Sequence, residues 1–136
     1  MKELEAYIDG ACKGNPGPCG VGVIVCQAGR VIKNISAFIG NGTNNMAEYT
    51  ALIYALQEGL ILKADKMKIN TDSQLLACQI NKTYKVKDAK IKALYNQAAH
   101  LMSAFDKVTV NHIPRADNAG ADKLADKAVK ESLRNK

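Results

Sequence analysis

The chain of 136 residues is 47% hydrophobic and 24% charged, a balance that builds one globular core and excludes disorder or low complexity. No apolar run reaches the roughly 20 residues that cross a bilayer, and the opening Met1 to Glu5 mixes charge with apolar positions, unlike a secretory leader; the expectation is one cytoplasmic domain over 1–136, with no membrane association. A net charge of +6 raises the prospect of a polyanionic partner. Cys12, Cys19, Cys26 and Cys78 show no C-x-x-C spacing, and without a leader they read as free thiols rather than bridges or zinc ligands.

Leu4, Ala6 and Ile8 alternate with polar neighbours, predicting a strand that ends at Asp9-Gly10. Val21–Cys26 and Val31–Ile39 are two further strands, joined as a hairpin across Gln27 to Arg30. From Asn45 to about Leu62, the recurrence of Ala51, Leu52, Ala55, Leu56 and Gly59 predicts an amphipathic helix. Met67, Ile69 and Thr71 alternate as a short strand that stops at Asp72, and a helix starts at Ser73. Another helix runs from Asp88 to about Ser103, a strand covers Val108–Ile113, and Pro114 ends it before a helix that begins near Asn118. The order β-β-β-α-β-α-α-β-α makes a mixed sheet covered by helices, an α/β fold, with no linker or repeat dividing it.

Four acids stand beside element boundaries: Asp9, Glu48, Asp72 and Asp122. Each has an ordinary local reading. Asp9 before Gly10 can start a turn, Asp72 can N-cap the next helix, Glu48 can close a capping box with Asn45, and Asp122 can complement a helix dipole behind an N-cap at Asn118. Together they read differently, because Asp9 and Asp72 both end strands while Glu48 and Asp122 both lie near helix starts. Open α/β sheets form their sites beyond the carboxyl ends of strands, and carboxylates gathered there make an oxygen cage for hard divalent cations and metal-assisted phosphoryl transfer.

The runs from Asp9 to Pro18, Thr43 to Glu48, Thr71 to Gln74 and Arg115 to Asp122 resemble type 1 ribonuclease H, in order and at family-like spacing over nearly the whole chain. The resemblance implies the ribonuclease H-like fold: a five-stranded mixed sheet in which the first three strands form an antiparallel meander, the first, fourth and fifth run parallel, and helices flank the sheet. It also implies internal hydrolysis of the RNA strand in RNA–DNA hybrids, with 5′-phosphate and 3′-hydroxyl ends, by a monomer. Asp9, Glu48, Asp72 and Asp122 fall on the catalytic, metal-holding positions for two Mg²⁺ ions, with Mn²⁺ a substitute; Asp9 is the expected bridging ligand.

The same carry-over makes Asn15, Asn44, Asn45 and Gln74 minor-groove contacts, Thr43 part of a pocket for a DNA phosphate, and backbone groups near Cys12 and Asn15 readers of the RNA 2′-hydroxyl. In isolation those asparagines are equally at home in turns and caps. The basic stretch Lys82 to Lys92, with Lys85 and Lys87 at its centre, is either a solvated face or a set of phosphate contacts; it is too short for the basic protrusion some relatives carry. Arg115 stands where another branch of the family has a histidine-bearing loop, which resembles the short archaeal-like branch and makes Arg115 an auxiliary group for phosphate or leaving side. His100 and His112 read as structural. A silent hybrid-binding module, another nuclease of the same superfamily, and a structural or flavodoxin-like small-molecule domain are the alternatives; the full acid set disfavours the first, the clustered amides the second, and the lack of a cofactor fingerprint the third.

Overall fold

The computed structural model describes residues 1–134. Strands β1 (Glu3–Cys12), β2 (Gly17–Gln27) and β3 (Arg30–Gly42) are followed by helix α1 (Asn44–Ile61), strand β4 (Lys66–Thr71), helices α2 (Gln74–Ile80) and α3 (Ala89–Met102), strand β5 (Lys107–His112), a 3₁₀ turn (Arg115–Asn118) and helix α4 (Ala119–Arg134). The sheet order is β3-β2-β1-β4-β5. β1 is antiparallel to β2 and parallel to β4, and β4 is parallel to β5, so the expected meander and mixed sheet are both present.

Strand alternation sorts the two faces. Leu4, Ala6, Ile8, Val21, Val23, Val25 and Ile69 point to one side and pack with Tyr49, Leu52 and Leu56 of α1. The opposite face of β2 carries Gly20 and Gly22, where an added Cβ would collide with the α4 backbone at Ala125 and Ala121. Small residues on both partners therefore let α4 lie directly on the strand. Ala121, Ala125, Ala128 and Val129 form its buried stripe.

Several boundaries differ from expectation. β1 does not end at Asp9-Gly10: only its pairing with β4 stops, at Ile8↔Thr71, while pairing with β2 continues to Cys12↔Cys19. The hairpin after β2 turns on Ala28 and Gly29, both at positive φ (51° and 79°), the backbone that a two-residue turn between twisted strands requires. Ladder pairing carries β2 and β3 past their apolar cores, into glycine-rich ends that alternation could not mark.

Cys12 and Cys19 are cross-strand partners joined by a disulfide, which corrects the reading of four free thiols; Cys26 and Cys78 are free. Spacing alone concealed the bridge, because only the β1–β2 register places two cysteines seven residues apart opposite each other. In unreduced native protein, iodoacetamide followed by mass spectrometry should label half-buried Cys78, reach buried Cys26 only after unfolding, and reach Cys12 and Cys19 only after reduction. Labelling of Cys12 without reductant would contradict the bridge.

Candidate active site

Asp9 and Asp72 are the first residues beyond the last β1–β4 pair, so two adjacent parallel strands deliver their carboxylates to one edge. Glu48 arrives from α1, which approaches β1 closely at Gly10. A Cβ there would run into the main chain of Ala47 and Glu48, and its absence lets the Gly10 N–H donate to Glu48 Oε1 at 2.5 Å. Asp122 comes from the first turn of α4. Carboxylate oxygens of Asp9, Glu48 and Asp72 lie within 4.8 Å of one another, and the Asp122 carboxylate is near enough to help raise Asp9.

The capping readings of Glu48 and Asp72 give way to other residues, while Asp122 keeps its place in the first turn of α4. Thr43 is the N-cap of α1, its hydroxyl accepting from the Met46 N–H, so no capping box engages Glu48. Ser73 caps α2 by accepting from Leu76, which leaves Asp72 free of that duty. Asn118 does not cap α4 with its side chain; its amide turns inward and donates to the Ile8 carbonyl. By contrast Asp88 caps α3 at the expected place, accepting from Lys90 and Ile91.

Burial and repulsion work together on the cluster. Asp9 and Glu48 are almost wholly buried. Desolvation first, then the Glu48, Asp72 and Asp122 carboxylates, push Asp9 up to about 9. Desolvation raises Glu48 to about 7, opposed by the hydrogen bond from Gly10 and reinforced by Asp72. Near neutral pH the metal-free cluster thus holds a proton between carboxylates. Hard oxygen donors, converging and short of positive charge, fit a divalent cation.

The other expected residues divide. Asn15 Oδ1 accepts from the Asn44 backbone N–H at 3.0 Å, joining the loop after β1 to the start of α1. Thr43 and Asn45 line a hollow with Asp88 and Lys90, and Asn45 Oδ1 is buried without a partner. Gln74 is exposed at the start of α2, and Cys12 is half-buried at the end of β1. Lys85 borders a separate hollow with Lys82, Tyr84, Lys92 and Tyr95, lined by none of the four acids, and Lys87 is exposed in the same connection. Arg115, 82% exposed, approaches Asp122 at 4.0 Å. His100 and His112 are both exposed, so burial does not supply the structural role expected of them. Asn118, which reads in the sequence as an N-cap, is instead buried beneath this edge.

Residues 7–128 match the family model described as reverse transcriptase-like. The chain is 38% identical to ribonuclease HI of Halobacterium salinarum over 95% of its own length and 65% of that relative, and 38% identical to ribonuclease H of Francisella tularensis subsp. novicida over 94% and 91%. It spans 34% of the bifunctional protein Rv2228c of Mycobacterium tuberculosis, so it covers less than two thirds of several curated relatives. Its backbone matches the halobacterial RNase H1 structure with a TM-score of 0.93, at 36% identity over 95% of this chain and 98% of that one. The compost-derived LC11-RNase H1, solved with an RNA/DNA hybrid, matches at a TM-score of 0.90 and 36% identity over 96% and 99%.

A pH dependence of the metal-free protein follows from the raised carboxylates. Their folded values exceed the unfolded ones near 4, so the folded state binds the protons more tightly. The resulting stability is complete below about pH 4 and is lost as pH rises through about 7 and 9, at up to about 1.4 kcal/mol per pH unit for each proton. In EDTA, the melting temperature should fall from pH 5 to 9, and Asp9→Asn should flatten the fall. A melting temperature that rises over this range would contradict the shared proton.

Proposed function

The chain belongs to the ribonuclease H family, and from that membership we propose that it is an endoribonuclease cutting the RNA strand of RNA–DNA hybrids to leave 5′-phosphate and 3′-hydroxyl ends. The observation that carries the reading is the convergence of Asp9, Glu48 and Asp72, with Asp122 beside them, where β1 and β4 part. A hybrid-binding module without chemistry has no use for buried carboxylates that repel each other. Cytoplasmic location and a monomeric state are part of the same proposal.

Asp9, Glu48, Asp72 and Asp122 would hold Mg²⁺, or Mn²⁺ in its place, and the bound cations supply an activated water and charge stabilisation at the scissile phosphate. The protein's own part is orientation. The Gly10 N–H fixes one oxygen of Glu48, and strand pairing sets Asp9 level with Asp72. Asn15, Asn44, Asn45 and Gln74 offer amides to base edges and sugar hydroxyls, Thr43 offers a hydroxyl to a DNA phosphate, and the backbone near Cys12 faces the RNA ribose. The hydrogen bond from the Asn44 backbone N–H to Asn15 Oδ1 supports a shared, preformed surface. Arg115, permanently charged and exposed, steers phosphate or eases product departure beside Asp122.

Three outcomes test the proposal. With Mg²⁺ or Mn²⁺, RNA in a hybrid should be cut internally while a DNA duplex survives, and EDTA should stop cutting; equal cutting of both hybrid strands would sink the reading. Asp72→Asn should lower turnover about 100-fold or more, the scale of losing one electrostatic partner of a transition state, yet raise metal-free stability by about 0.5 to 2 kcal/mol as repulsion is relieved. The third outcome concerns grip. Replacing Lys85 and Lys87 by alanine should flatten the salt dependence of hybrid binding by about one logarithmic unit per lost phosphate contact. An unchanged slope would return both lysines to a solvated face.

A further inference from the structure

Three of the acids are connected through the backbone at their base. β1–β4 pairing sets Asp9 against Asp72 through the pair Ile8↔Thr71, and the Gly10 N–H holds Glu48. Asp122 has neither tie. It is carried by the last helix, and its ion pair with Arg115 is 4.0 Å long with the arginine 82% exposed, too loose and too solvated to set its place.

Asn118 supplies the missing connection. It closes the 3₁₀ turn before α4, is 1% exposed, and its Nδ2 donates to the Ile8 carbonyl at 2.8 Å across 110 positions of chain. Ile8 immediately precedes Asp9. Asp122 follows Asn118 by four residues, in the first turn of the helix that Asn118 immediately precedes. A single amide therefore ties the main chain at the foot of Asp9 to the helical turn that carries Asp122.

Packing alone is a poor account of this residue. Its Oδ1 is buried without a partner, so half of the amide's hydrogen-bonding capacity is desolvated and unused. An apolar side chain of similar size would fill the space without that penalty. What it would lack is the donor to Ile8.

We propose that Asn118 is a positioning residue for Asp122, its amide holding the start of α4 against the end of β1 so that Asp122 reaches the cation site of Asp9, Glu48 and Asp72. This rests on the nuclease reading for its catalytic consequence, but not for its effect on cation binding. The residue touches no reacting atom and acts through the carboxylate it places.

The test is a double-mutant cycle of Asn118→Leu with Asp122→Asn, read by Mn²⁺ binding to the free protein in electron paramagnetic resonance and by steady-state cleavage of a hybrid. Asn118→Leu keeps the volume and removes the donor. It should weaken Mn²⁺ binding about tenfold, as losing a partner that orients a ligand does, and lower kcat similarly, with KM within about twofold. In the Asp122→Asn background the same substitution should change Mn²⁺ affinity by less than about twofold. Mn²⁺ affinity and kcat retained in Asn118→Leu would overturn the proposal, as would equal losses in both backgrounds, which mark damage not routed through Asp122. Should the leucine variant melt below the assay temperature, the same cycle with Asn118→Ala carries the test. A parent chain that binds Mn²⁺ but cleaves no hybrid would defeat the nuclease reading, while the Mn²⁺ cycle still decides Asn118.

Discussion

Everything at this sheet edge answers to one constraint: carboxylates that repel one another are held together, two of them where water scarcely reaches. Asp9 and Glu48 are buried, Asp72 and Asp122 face them, and without a cation the cluster retains a proton. Such an arrangement costs folding energy and persists because the surrounding backbone over-determines it. Strand pairing, the bare backbone of Gly10 and the inward amide of Asn118 each remove one way for the acids to move apart. The same crowding makes the edge receptive to divalent cations.

The scaffold's small residues serve that edge. Gly10 admits the start of α1 to β1, and Gly20 and Gly22 admit Ala125 and Ala121 of α4 to β2. A methyl group at any of these positions would push a helix away and carry Glu48 or Asp122 with it. Glycine here is a requirement of distance rather than of backbone conformation, since none of the three has positive φ. Elsewhere the fold neutralises its buried charge directly, as where Glu58 of α1 pairs with Lys33 of β3 at 2.8 Å. No lysine or arginine performs that service for Asp9 or Glu48 among the described residues' ion pairs.

Much of this was legible in the chain because period-two alternation and period-3.6 apolar spacing are local signals. Leu4, Ala6 and Ile8 face the core as their alternation requires, and Leu52 and Leu56 form the stripe that their spacing requires. Long-range register was not legible. It pairs Cys12 with Cys19, extends β1 beyond Asp9, and sends the Asn118 side chain to Ile8 rather than to the helix end. Capping was ambiguous for a related reason: Thr43 and Asn45, or Asp72 and Ser73, are neighbours with equal aptitude, and only backbone geometry chooses between them. The exposed lysines between α2 and α3 left no pattern in the sequence to separate grip from solubility.

Crowded and buried, the metal-free acids retain a proton that a cation would displace. That displacement is tested most directly by calorimetric titration of Mn²⁺ or Mg²⁺ into the metal-free protein at pH 7, in two buffers of different ionisation enthalpy, which counts protons released on binding. With Asp9 near 9 and Glu48 near 7, binding should release about one and a half protons, and the number should shrink toward zero as the pH approaches 10. Binding with no proton released at pH 7 would mean that the carboxylates are already ionised, and would contradict the account.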